Sequence, residues 1–308
     1  MLDAGVNFGP SLKDVSKEDW LAEVEDLVDD DGYMARLGDA HYAAFCEHGK
    51  TLLVTFETLQ GIRALSPLAH PMGWEMIKSK GWSHLGLISD GDTWFRDPAV
   101  YAYFDRMVDD GFFDEFDTVL FYGAGPCGYA AAAFSVVAPG ARVLAVQPQA
   151  TLSPGIAPWD QRFTDKRRLC FTDRYGYAPD MLEAASQAYV IYDPAEVEDA
   201  MHAALFNLPN VTKLRMRYIG TALQTDLLQM GLLFDLLHAA TEGKLDAAGF
   251  SKKMRARRDH LPYLRRLLNR VEHQDRPDLT RMLCQNVSTR MRAPRFARRL
   301  KSLVSATS

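Results

Sequence analysis

The stretch VLFYGAGPCGYAAAAFSVVAPGARVLAVQP, residues 119–148, decides the fold. With Thr118 its first part, TVLFYG, is a continuous apolar run of the kind expected for a central strand covered on both faces. Glycines at 123, 125 and 128 break that run, and the small-residue segment GYAAAAFSVVAP follows as a helix. RVLAVQP, at 142–148, is a second apolar strand. A strand that passes through glycines into a helix puts backbone N–H groups and a positive dipole end at the sheet's carboxyl edge. In doubly wound sheets that edge is where ligands bind.

The alternation extends in both directions. Upstream, acidic residues from Asp14 to Asp31 interleave with Trp20, Leu21, Val24, Leu27 and Val28, which predicts an amphipathic helix ending near Gly32. HYAAFCE (41–47) and TLLVTFE (51–57), separated by His48-Gly49-Lys50, read as a hairpin, and HLGLISD (84–90) as a further strand. Asp97-Pro98 opens a helix to about Met107, with Asp as cap and Pro in the first turn. Downstream come AYVIYDP (188–194), a helix over about 195–207, and KLRMRYIG (213–220). Beyond residue 222 the chain reads as helix, with LLQMGLLFDLLHAA (227–240) packed on the sheet and three basic helices after it. Strands alternating with helices give an α/β fold with a mostly parallel central sheet flanked by helices, and a helical C-terminal extension.

Hydrophobic residues make up 47% of the 308 and charged residues 24%, so a sizeable core is expected. Cys46, Cys127, Cys170 and Cys284 are scattered with no CxxC pairing, and the eight histidines show no HxH or HExxH spacing. Neither a disulfide framework nor a metal site follows, and a reducing, cytoplasmic setting is expected. The N-terminus has no basic stretch leading into an apolar one, so no leader is expected, and no apolar run is long enough to span a membrane. The charge is uneven: 251–308 hold 16 Lys and Arg against 4 Asp and Glu, a local +12, which leaves −17 on the first 250 residues. The sign changes near 243–246, giving two regions, 1–243 and a basic helical extension, 244–308, packed on the same domain. The basic stretch is read as a solvated helical face. An anionic partner is the sharper alternative, but no RNA-binding aromatic motif or zinc finger accompanies it, so nucleic acid is not expected.

Two known devices share the 123–128 geometry. Gly123-Ala124-Gly125-Pro126-Cys127-Gly128 matches the GxGxxG dinucleotide fingerprint and resembles its flavin-binding form. The end of the next strand is Gln147, however, where a ribose-binding Asp or Glu is needed, and the motif lies after at least three strands. The segment from about 41 to 240 more broadly resembles the α/β-hydrolase superfamily, in particular the bacterial esterase-like branch whose elbow reads GxSxGGY. That resemblance implies a nucleophile at the turn, an acid after the strand at 188–194 and a histidine after the strand at 213–220. Laid on it, the nucleophile position falls on Gly125, with Gly123 and Cys127 in the flanking small positions and Gly128-Tyr129 completing the ending. Asp193 takes the acidic position and Thr221 the place of the histidine. A triad needs nucleophile, base and orienting group together. Only the acid is present.

The reading that follows is an α/β-hydrolase-like protein with a degenerate active site, Gly123, Gly125, Gly128 and Thr221 lining it, acting in binding or regulation on a small-molecule or acyl ligand, with no cofactor. The first alternative is an acyl hydrolase or acyltransferase that uses Cys127, with Asp193 in support; the helix N-terminus would activate the thiol, but Tyr129 then stands where a small residue is needed. The second is an FAD- or NAD-dependent enzyme using 123–128. A sulfonucleotide (phosphoadenosine phosphosulfate) reductase fits size and class, but lacks the serine-rich pyrophosphate loop, and Cys284 sits in RMLCQNV rather than an ECG-like context. Asp193 before Pro194 is equally read as a helix N-cap, and Asp90, Asp92 and Asp97 as turn caps near the same sheet edge.

Overall fold

In a computed structural model, which describes residues 8–305, an eight-stranded sheet runs through the molecule. The strands are β1 (Gly32–Leu37), β2 (His41–Cys46), β3 (Thr51–Thr58), β4 (Ser83–Ser89), β5 (Thr118–Ala124), β6 (Arg142–Val146), β7 (Gln187–Tyr192) and β8 (Val211–Arg215). Their spatial order is β1-β2-β4-β3-β5-β6-β7-β8, with β2 antiparallel to both of its neighbours, β1 and β4, and every other pairing parallel. The helices are α1 (Lys17–Val28), α2 (Leu59–Leu65), α3 (Gly73–Lys80), α4 (Pro98–Asp109), α5 (Pro126–Phe134), α6 (Ala178–Met181), α7 (Val197–Leu205), α8 (Leu223–Gln229) and α9 (Leu233–Thr241). The C-terminal stretch adds α10 (Ala247–Lys253), α11 (Leu261–His273), α12 (Pro277–Arg290) and α13 (Pro294–Ser305). This is an α/β fold with a mostly parallel sheet flanked by helices and a helical C-terminal stretch.

Because successive side chains of a strand point to opposite faces, each central strand feeds two cores. Leu52, Val54, Phe56, Val119 and Phe121 pack with α4 and α5 on one face. On the other, Leu53, Leu120, Tyr122, Leu144 and Val146 meet α8, α9 and the C-terminal stretch, which contributes Phe250, Leu264, Val287 and Phe296. A third cluster, Trp20, Val24, Ile62, Trp74 and Ile88, ties α1, α2 and α3 to the sheet. Asp226 of α8 accepts from both His260 and Arg266, joining the C-terminal helices to the body.

Three expectations are corrected. The hairpin between 41–47 and 51–57 is not formed: β4 lies between these strands, pairing antiparallel with β2 and parallel with β3. The connection steps over the start of β4, where Ser83 Oγ accepts from His48 N and Gly49 N and donates to Gly49 O. Gly49 is needed there because a Cβ would stand 2.3 Å from Gly81 O. The true opening hairpin is β1–β2, and Gly32 admits the close approach of Phe45 O. The strand expected over 213–220 stops at Arg215, after which Tyr218 (φ 65°) and Gly220 (φ 82°) turn the chain away. Asp193 is not the cap of α7, whose N-cap is Glu196.

Candidate functional site

The turn after β5 is held by three glycines with different duties. A Cβ on Gly123 would lie 2.0 Å from Cys127 O, so the first turn of α5 rides directly over the strand end. On Gly128 it would lie 3.1 Å from both Gly123 O and Val146 O, which is how α5 approaches β5 and β6 so closely. Gly125 sits at the apex with φ 59° and ψ −127°, a region that side-chain-bearing residues enter only under strain. A Cβ there would meet nothing within 4 Å. Gly125 N donates to Val146 O at 2.8 Å, and Tyr129, fully buried, donates from its hydroxyl to Tyr175 O.

Asp193 is fully buried at the end of β7, two strands from β5. One carboxylate oxygen accepts from Ala195 N at 2.8 Å and the other from Gly220 N at 2.7 Å. It therefore fixes the loop after β8 through the backbone. Thr221, next to Gly220, is exposed. The structure thus brings Gly123, Gly125, Cys127 and Gly128 into one turn and links Asp193 to the 220 loop. Gln147, at φ 50°, lies between them: its amide donates to Asp199 at 2.8 Å and its carbonyl accepts from Leu223 N at 3.2 Å.

Strand order places β3 beside both β4 and β5, so the chain's connections diverge to either side of β3. That switch point opens a crevice at the carboxyl ends of β3 and β5. A cavity of about 520 Å³ fills it, walled by the end of β3 (Phe56–Thr58), α2, the segment 65–72, the start of α3, Asp92, the turn after β5 (Ala124, Pro126, Cys127) and Gln224, Leu228 and Phe234. Its walls are mainly apolar and aromatic, as small-molecule sites are.

Glu57 was not among the residues singled out from the sequence. It is 8% exposed and lines this cavity. Thr55 Oγ1 donates to its Oε1 at 2.8 Å, and Met72 N lies 3.2 and 3.3 Å from its two oxygens. No cation forms an ion pair with it among the described residues. Burial therefore prevails over these hydrogen bonds and lifts its pKa to about 7. Thr55 Oγ1 also meets His84 Nε2 at 2.8 Å, and burial holds His84 neutral, with its pKa near 3. Since Thr55 donates to Glu57, His84 Nε2 is the donor to Thr55 when Glu57 is ionised. Tyr122 presents its ring on the same sheet face; its hydroxyl, near Glu57, Cys127 and Gln224, makes no hydrogen bond of good geometry, although Gln224 is close enough to favour its ionised form. Cys127 is 7% exposed, and burial, then Glu57 and Asp92, push its thiol far up. The helix N-terminus does not compensate.

No protein-family model and no curated protein sequence matches the chain. Solved structures to which it is similar include Est1E from Butyrivibrio proteoclasticus (12% identity, 68% of this chain and 98% of that one, TM-score 0.44). The Staphylococcus aureus fluorophosphonate-binding serine hydrolase FphF matches at 8% identity over 66% of this chain and 98% of its own, TM-score 0.42. A hyperthermophilic esterase from Pyrobaculum calidifontis matches at 14% over 80% and 93%, TM-score 0.40.

Proposed function

We propose that this protein binds a small, largely apolar molecule in the cavity between β3 and β5 and does not hydrolyse esters. The observation that carries this is the glycine at the elbow apex: Gly125 offers no nucleophile beside a cavity of about 520 Å³. Asp193 spends both oxygens on backbone N–H groups, and the exposed Thr221 cannot act as a base near neutral pH. Catalysis by Cys127 would require a thiolate that burial opposes, with no histidine bonded to it among the described residues. A dinucleotide on 123–128 is disfavoured as well, because Gly125 N–H, needed for a pyrophosphate, is bonded to Val146 O. The C-terminal basic residues support a solvated face: Arg265 and Arg270 are exposed while Leu264 and Leu268 are buried beneath them.

Native mass spectrometry of freshly purified full chain, with Ile62→Trp as a cavity-filling control, tests the binding. The expected result is a small organic molecule bound to the wild-type protein and absent from the variant. Hydrolysis of p-nitrophenyl butyrate should not exceed the buffer rate. Turnover abolished by Cys127→Ala would replace this reading with an acyl hydrolase.

A further inference from the structure

We propose that the cavity's ligand carries a cationic amine head, held by Glu57 at the cavity wall and by Asp92, with its apolar body lying against Phe56, Trp74 and Phe234. This rests on the binding function proposed above and names the ligand class. Three carboxylates, Glu57, Glu75 and Asp92, line the cavity against one ammonium, Lys78, which is directed to the Phe8 ring at 5.4 Å. His70 donates its Nε2 proton to Pro10 O at 3.0 Å, so it offers no free donor.

The charged groups left over are acceptors, while Trp74 Nε1–H is a buried donor without a partner on the same wall. The second oxygen of Glu57 has only the long contact to Met72 N, at 3.3 Å, and Asp92 enters no ion pair or hydrogen bond among the described residues. Tyr122, fully buried behind Glu57, keeps its hydroxyl proton, and that hydroxyl makes no hydrogen bond of good geometry. An ammonium brings three donors and a positive charge, which suits the unpaired carboxylates Glu57 and Asp92. A carboxylate ligand would instead face three like charges.

The groups around Glu57 do not mimic its titration. Tyr122 and Cys127 are pushed up by burial and stay protonated, and His84, reached through Thr55, stays neutral above pH 3. His70 is pulled below its ordinary value, also by burial. With its pKa at about 7, Glu57 must lose its proton to pair with an ammonium. Amine affinity should therefore fall as pH drops below 7, by up to about tenfold per unit.

The test uses 4-phenylbutylamine, 4-phenylbutanol and 4-phenylbutyrate, one hydrocarbon with three heads, titrated into the full chain by calorimetry at pH 8. The amine should bind about tenfold or more tightly than the alcohol, and the acid least. Glu57→Gln should bring the amine to the alcohol's affinity while leaving the alcohol within about twofold. If that variant does not fold, the wild-type pH series decides: the amine weakens from pH 8 to 6 and the alcohol does not. Alcohol binding at least as tight as amine binding overturns the cationic head and leaves the binding function standing. Binding by none of the three overturns the binding function itself.

Discussion

Replacing Gly125 and Gly123 by alanine, one at a time, separates backbone strain from steric collision at the same turn. At Gly125 the added methyl meets nothing within 4 Å, so the loss is conformational alone. Holding a side-chain-bearing residue at φ 59° and ψ −127° costs about 1–3 kcal/mol. For 308 residues the unfolding entropy is about 0.65 kcal/mol/K, so Gly125→Ala should lower Tm by about 2–5 °C. At Gly123 the methyl would stand 2.0 Å from Cys127 O and 2.4 Å from its carbonyl carbon, both backbone atoms that cannot swing aside. The first turn of α5 would have to lift off β5, at about 4 kcal/mol or more, a drop of about 6 °C or failure to fold. Thermal unfolding of the full chain by circular dichroism reads both. Equal losses would mean that the apex is not open, and no loss at Gly125 would mean that its backbone is not held at positive φ. Either result refutes the geometry of this turn.

Glu57→Gln should stabilise the protein relative to wild type at pH 8 and much less at pH 5. An acid raised from its ordinary 4.5 to about 7 keeps its proton longer when folded, so wild type loses stability as pH rises through that window, about 3 kcal/mol in all, and the paired denaturant midpoints report it. Iodoacetamide at pH 7.5 should label Cys170 first, since it is exposed and its thiol is lowered by the hydrogen bond with Thr172, while buried Cys46, Cys127 and Cys284 lag; mass-mapped fast labelling of Cys127 would revive it as a nucleophile. Asp193→Ala should lower stability by about 3 kcal/mol in urea, because Ala195 N and Gly220 N lose a charged acceptor, and a neutral result would show that the loop after β8 is held by something else.

The strand–turn–helix unit was legible because its signals are local: an apolar run, three glycines and a small-residue helix are each required by contacts within the unit itself. Gly123 and Gly128 face Cys127 O and Val146 O, partners that the alternation already placed nearby. The hairpin was misread for the opposite reason. His48-Gly49-Lys50 looks like a turn, but Gly49 is there to clear Gly81, a residue 32 positions on. Nothing local distinguishes a chain that folds back from one that steps over a strand not yet made. β1 was missed because GYMARL lies on an edge and buries only Leu37.

The cavity was the least legible part, yet it left a trace. β3 is buried on both faces along most of its length, so polar residues at Thr55 and Glu57, two apart, cannot both be facing water. Such a pair inside a central strand demands partners on its own face. Register supplies one of them: Leu53 lies opposite His84 on β4, which puts His84 on the face of Thr55 and Glu57. Gly73 then brings α3 down onto the His84 ring, where a Cβ would lie 1.9 Å from it, and this closes the relay from water. Only the cavity end of the relay stays reachable, through Glu57. A carboxyl desolvated by its neighbours but open on one side to a cavity is where the ammonium head proposed above would favour the ionised form.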